Sequence, residues 1–122
     1  MNRKNTILYV DDELMNLQLF DLNFGKKYHI ITAESGHIGL DQLKKYPDTK
    51  VVISDMRMPE MSGIEFIKIA RKDFPKISYY ILTGFEVNEE ITRAIEENVI
   101  NKYLKKPFNK VEIVQAIDES LS

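Results

Sequence analysis

The stretch Val51-Val52-Ile53-Ser54-Asp55-Met56-Arg57-Met58-Pro59-Glu60-Met61-Ser62-Gly63 changes character at Asp55. An apolar, β-branched run precedes it and a loop of turn-forming residues follows it, so the carboxylate is badly placed for packing and well placed for chemistry. Two other apolar runs end in the same way: Ile7-Leu8-Tyr9-Val10 stops at Asp11-Asp12, and Asn101-Lys102-Tyr103-Leu104 stops at Lys105-Lys106-Pro107. Acids and a lysine therefore collect at strand ends, where open α/β sheets build their sites.

Working outward, short β-rich runs alternate with longer segments of helical period, the pattern of successive βα units and a parallel sheet covered on both faces. Strands are expected near Thr6–Val10, His29–Ala33, Lys50–Ser54, Ser78–Leu82 and Asn101–Leu104. The first helix carries Leu14, Leu17, Phe20 and Phe24 on one face and ends at Gly25, a natural left-handed terminator. The second starts after Ser35-Gly36, buries Ile38, Leu40 and Leu43, and is stopped by Pro47. Ser62 and Glu65 form a capping box for the third, whose core stripe is Ile64, Ile67, Ala70 and Phe74, ending before Pro75. The fourth runs from an Asn88 cap through Ile91, Ala94 and Ile95, with Glu89, Glu90, Glu96 and Glu97 facing water and Asn98 as its terminator. The fifth opens at Asn109 and buries Val114, Ile117 and Leu121.

Composition limits the function classes. At 122 residues, 43% hydrophobic and 30% charged, the chain has the size of one domain, 1–122, with an ordinary core. A formal charge of -2 supplies no basic field for a phosphate backbone, so direct nucleic-acid binding is not expected. The absence of Cys excludes disulfides and thiolate metal sites and suits a reducing cytoplasm. No apolar stretch is long enough for a membrane span, and a strand pattern rather than a signal-peptide core follows Met1-Asn2-Arg3-Lys4-Asn5.

The two common orders of a doubly wound five-strand sheet both make the first strand central. In the order 2-1-3-4-5, Asp11, Asp12 and Asp55 share one crevice, and Thr83-Gly84 and Lys106 line the same trench. Three carboxylates about 4 Å apart repel by roughly 4 kcal/mol per pair at an effective dielectric near 20, so they hold protons or recruit a cation. Oxygen ligands without His or Cys point to Mg²⁺. A hard cation, the Lys106 ammonium and the Thr83 hydroxyl around one carboxylate suit a phosphoryl group, with Asp55 as the nucleophile.

Tyr9-Val10-Asp11-Asp12-Glu13, Ser54-Asp55-Met56-Arg57-Met58-Pro59-Glu60-Met61-Ser62-Gly63, Leu82-Thr83-Gly84 and Tyr103-Leu104-Lys105-Lys106-Pro107-Phe108 together resemble the receiver domain of two-component response regulators, the CheY-like superfamily. The likeness spans essentially the whole chain and implies a single (βα)5, flavodoxin-like domain. It implies that Asp55 takes a phosphoryl group from a sensor histidine kinase or a histidine phosphotransfer protein. Asp12, Asp55 and the Arg57 carbonyl would bind Mg²⁺ directly and Asp11 mainly through water. Lys106 and Thr83, helped by backbone amides near Arg57 and Gly84, would hold the phosphoryl oxygens, and Lys106-Pro107 would be cis. Thr83 and Tyr103 resemble the family's switch positions, acting on a surface of helix 4, strand 5 and helix 5. Arg57 occupies a position expected to tune phosphate lifetime, either pairing with Glu86 or shielding the phosphoryl group.

Such a domain signals rather than turning over substrate, apart from slow loss of its own phosphate. Aspartyl-phosphate phosphatases and phosphotransferases resemble Asp-x-Asp, and the second position here is Arg57. A flavodoxin-type cofactor module would need a phosphate cradle where Asp11-Asp12-Glu13 stands. A receiver that binds proteins without being phosphorylated would not need the full set of site residues. The acidic fourth helix and Lys102, Lys105 and Lys110 are self-complementary, which suggests a phosphorylation-dependent homodimer. No output domain follows Ser122, so the expected target is a downstream protein or a domain outside this sequence.

Overall fold

The computed structural model describes residues 4–84 and 87–121. Five strands and five helices alternate: β1 (Thr6–Val10), α1 (Leu14–Phe24), β2 (His29–Ala33), α2 (Gly36–Lys45), β3 (Val51–Asp55), α3 (Gly63–Asp73), β4 (Ser78–Thr83), α4 (Glu89–Glu96), β5 (Lys102–Lys105) and α5 (Lys110–Leu121). The strands pair in parallel in the order β2-β1-β3-β4-β5. This is the expected doubly wound sheet.

Burial explains why the central strands read as unbroken apolar runs. Every residue of β1 and β3 is buried, because a parallel strand inside a sheet packs helices on both faces. Successive side chains still alternate. Ile7, Tyr9, Val51, Ile53, Tyr80 and Leu82 join Leu17, Phe20, Ile113 and Ile117 on the α1/α5 side. Leu8, Val10, Val52, Tyr79 and Ile81 join Leu43, Ile64, Phe66 and Ile91 on the other. At about 25 cal/mol per Å² of apolar area, these two layers are the main favourable term in folding.

Helix ends follow local chemistry. Ser62 and Glu65 form the reciprocal box, each side chain accepting from the other's backbone N–H at 3.1 Å. Asn88 accepts from Ile91 N at 2.9 Å, Asn109 accepts from Glu112 N at 3.2 Å, and Asn98 takes the left-handed conformation with φ 59°. Gly25 does not: its φ is -65°, and its N–H closes onto Asp21 O, so α1 ends without a left-handed residue.

Several expected core positions are corrected. Leu14 is 57% exposed and Ile38 45% exposed, whereas Phe66 is fully buried. In α5 the buried residues are Ile113, Ala116 and Ile117, with Val114 and Leu121 only half-buried. Phe74 and Ile95 are likewise half-buried. Three strands also shift by one residue: β3 runs Val51–Asp55, β4 runs on to Thr83 and β5 runs Lys102–Lys105, so Asp55 and Thr83 are the last of their strands rather than the first of the loops.

Candidate functional site

The strand order brings the site together. β1 and β3 are neighbours, so Asp11-Asp12, just past Val10, lie beside Asp55 at the end of β3. On the far side Thr83 ends β4, and the backbone N–H of Lys106 donates to Thr83 O at 2.8 Å, which fixes the start of the Lys106 side chain. The stem of Lys106 runs beside Gly84, where an added Cβ would lie 3.8 Å from it.

Carboxylate oxygens of Asp11, Asp12 and Asp55 lie within 4.8 Å of one another. Lys106 Nζ bridges two of them, 3.3 Å from Asp11 Oδ2 and 3.2 Å from Asp55 Oδ1. The surroundings differ: the Asp11 side chain is fully buried, that of Asp55 is 12% exposed, and Asp12 is exposed. Burial pushes the Asp55 carboxyl above its ordinary range; Lys106 opposes this, and the charges of Asp11 and Asp12 add to it. For Lys106, burial alone would lower the ammonium, but Asp55 and Asp11 outweigh it and hold the group above its ordinary range. One ammonium thus faces three carboxylates, and the balance of burial and charge disfavours the charged form at Asp55.

The donor set answers what would complete the site. Three convergent carboxylates, oxygen donors only and an exposed member on one side fit a hard divalent cation held partly by water. Among the described residues this is the one cluster of acids, His or Cys with metal-ligand spacing.

Backbone geometry keeps the cluster tight. An added Cβ on Gly63 would stand 2.3 Å from Asp55 O, so any side chain there would push the start of α3 off the end of β3. Gly63 N–H donates to Met56 O at 2.9 Å and closes the loop between them. Within that loop Glu60 is held at φ 69°, a left-handed conformation that costs a non-glycine residue. The Lys106-Pro107 peptide is cis. Arg57 is exposed and Tyr103 half-buried; the expected pairing of Arg57 with Glu86 lies outside the described residues.

Two residues at the site carried no role in the sequence reading. Tyr9 Oη donates to Asp11 Oδ2 at 2.8 Å and Asn16 Nδ2 donates to the same oxygen at 3.2 Å. Burial, then the charge of Asp11, drive the Tyr9 phenol far above its ordinary range, so it stays a donor. A signal existed for Tyr9: two residues before Asp11 in a strand, it shares that residue's face. Asn16 becomes a neighbour only once α1 is docked.

The response regulator receiver domain family matches residues 7–118. The transcriptional regulatory protein GlrR of Escherichia coli K12 is 35% identical over 116 residues, 94% of this chain and 26% of that protein. The hydrogenase transcriptional regulatory protein HoxA of Cupriavidus necator is 25% identical over 120 residues, 98% of this chain and 25% of that protein. The chain thus spans about a quarter of the length of these curated relatives. The crystal structure of the chemotaxis protein CheY4 of Vibrio cholerae superposes with a TM-score of 0.87 at 27% identity, covering 96% of this chain and 98% of that one.

Proposed function

The chain belongs to the response regulator receiver domain family of two-component systems, and from that membership we propose that Asp55 accepts a phosphoryl group from a histidine on a sensor kinase or phosphotransfer protein. Members of the family are signalling domains, not enzymes in the ordinary sense, and this chain acts as one receiver domain over residues 1–122, with slow loss of its own phosphate. The observation that carries the reading is the Lys106 ammonium bridging Asp11 and Asp55 at 3.3 and 3.2 Å beside a third carboxylate. An Asp55 oxygen forms a bond to phosphorus as the donor's P–N bond breaks, and the departing imidazole nitrogen keeps the bonding pair.

Asp12, Asp55 and the Arg57 carbonyl would hold Mg²⁺, with Asp11 acting through water. The ion supplies charge neutralisation on the phosphoryl oxygens. Lys106, Thr83 and the backbone at Gly84 supply the remaining donors, with Lys106 turning from the carboxylates to the incoming oxygens. Thr83 ends β4 and Tyr103 stands in the neighbouring strand, so a shift of the first reaches the α4–β5–α5 surface through the second. That surface is the proposed output face, toward a protein target or a covalently linked output domain, with a phosphorylation-dependent homodimer as one use of it. The names of HoxA and GlrR support a transcriptional setting in which DNA is contacted by another domain.

Docking of the donor is supported by α1. Leu14, Met15, Leu19 and Leu22 are 57%, 70%, 43% and 78% exposed on one side of that helix, beside a groove bordered by Pro107 and Phe108 and next to the trench. No helix among the described residues is long and apolar enough to cross a membrane, and the cytoplasm is the proposed location.

Intact-protein mass spectrometry after incubation with acetyl phosphate tests the chemistry. Wild type gains one phosphoryl group only with Mg²⁺ present, and Asp55→Asn gains none. An adduct that survives in Asp55→Asn, or no adduct beside a control receiver that reacts, overturns the assignment.

A further inference from the structure

Asp11 is the most completely hydrogen-bonded acid of the cluster, and its donors are distributed unevenly. Oδ2 accepts from Tyr9 Oη at 2.8 Å, Asn16 Nδ2 at 3.2 Å and Lys106 Nζ at 3.3 Å, whereas Oδ1 accepts from Glu13 N at 3.0 Å. A carboxylate offers about two acceptor positions per oxygen. Oδ2 is therefore saturated, and Oδ1 keeps acceptor capacity.

The three donors to Oδ2 differ in how firmly they are held. The Tyr9 ring belongs to β1, an inner strand, is 1% exposed, and stacks on Phe20 with centroids 4.1 Å apart and planes within 5°. Asn16 stands in the first turn of α1. Lys106 reaches Asp11 on a flexible stem and divides its charge with Asp55. When Lys106 turns toward a phosphoryl group, only the two neutral donors on rigid elements still hold Asp11 Oδ2.

We propose that Tyr9 and Asn16 are positioning residues for the metal site: they pin Asp11 Oδ2 against the wall of the trench and leave Oδ1 as the oxygen that receives the cation or its water. The inference rests on the receiver reading given above and adds to it two residues that act through Asp11. Hydrogen-bonded partners behind a ligand typically govern metal affinity by tenfold or more, by fixing the ligand's orientation. A bland role is also open to Tyr9, since a buried phenol needs an acceptor wherever it stands. The two roles separate experimentally, because a merely structural hydroxyl affects melting and leaves Mg²⁺ affinity alone.

Calorimetric titration with Mg²⁺ is the test, on wild type, Tyr9→Phe, Asn16→Ala, Asp11→Ala and the double variant Tyr9→Phe/Asp11→Ala. Tyr9→Phe keeps the ring and its stacking and removes only the hydroxyl. It is expected to weaken Mg²⁺ about tenfold, and Asn16→Ala about threefold. In the Asp11→Ala background Tyr9→Phe should cause no further loss, since the hydroxyl then has no carboxylate to orient. Wild-type affinity in both Tyr9→Phe and Asn16→Ala, or an equal tenfold loss with and without Asp11, overturns the inference while leaving the receiver reading intact. Wild type that takes up no Mg²⁺ removes both.

Discussion

At the N-terminal end of the sheet the buried polar groups are Thr6 and Thr49; at the C-terminal end they are Asp11, Ser54, Asp55 and Thr83. Thr49 Oγ1 donates to Tyr46 O at 2.7 Å and Thr6 Oγ1 meets His29 Nδ1 at 3.1 Å, so each is satisfied by a neighbour from its own turn or the adjoining strand. The acids at the other end share one ammonium among three carboxylates. Parallel strands all end on the same side, so one fold gives a rim that only has to be stable and a rim where like charges are forced together. The difference teaches where free energy is held in reserve: local hydrogen bonds satisfy both threonines of the first rim, whereas the second rim is improved by anything that adds positive charge or a proton.

The largest test removes the one cation. Lys106→Ala leaves Asp11 and Asp55 uncompensated, and because the ammonium is 25% exposed the loss should be about 2 kcal/mol, below that of a fully buried pair. Urea unfolding measures it, and added Mg²⁺ should recover most of the deficit. An equal deficit with and without Mg²⁺ would break the contrast between the rims.

Asp55→Asn acts in the opposite direction. It should stabilise the Mg²⁺-free protein at neutral pH by about 1 kcal/mol, because the cost of burying the charge, together with its repulsion from Asp11 and Asp12, outweighs the lost attraction to Lys106. The sign with pH follows from the raised pKa of Asp55. Folding favours its protonated form, so its contribution is most favourable below about pH 4, the ordinary carboxylate value, and is lost as pH rises through the raised folded value. The gap between variant and wild type should therefore be near zero in acid and open toward neutrality; a gap independent of pH would count against the repulsion argument.

On the first rim, Thr49→Val should cost about 1 kcal/mol, the worth of one hydrogen bond, with unchanged Mg²⁺ affinity. Altered Mg²⁺ binding in this variant would mean that the two ends are coupled. The smallest effect is expected at Glu60, held at φ 69° in the charged rim's loop. Glu60→Gly should raise stability by about 0.5 kcal/mol, strain relief being partly offset by the greater freedom of glycine in the unfolded chain. A loss of stability in thermal melts would show that Glu60 is not strained there.

How far the sequence could be read depends on whether a local pattern had one solution. β1 and β3 were legible because a strand buried on both faces needs an unbroken apolar run, and the box at Ser62 and Glu65 because its bonds span three residues. Helix α1 was legible in part: Leu17, Phe20 and Phe24 were read as its inward face, but Leu14 was placed with them, since Met15, Leu19 and Leu22 make the other side apolar too and no period marks where the buried stripe ends. Contact with β1 and α5 selects Leu17, Phe20 and Phe24 and leaves Leu14, Met15, Leu19 and Leu22 outside. Ile38 loses its expected place because Gly36 and Gly39 let α2 approach closely; an added Cβ on Gly39 would lie 2.8 Å from the Phe66 ring.

By itself the sequence determined the alternation of strands and helices, the acids and lysine at strand ends, and most of the caps, because each depends on residues within one or two turns of one another. Only the tertiary structure decided that Lys106 reaches both Asp11 and Asp55, that Tyr9 and Asn16 hold the same carboxylate oxygen, and that Gly63 must lack a side chain beside Asp55 O. Those contacts join residues up to 95 positions apart, set to a few tenths of an ångström by helix docking and strand register, and no local periodicity encodes such distances.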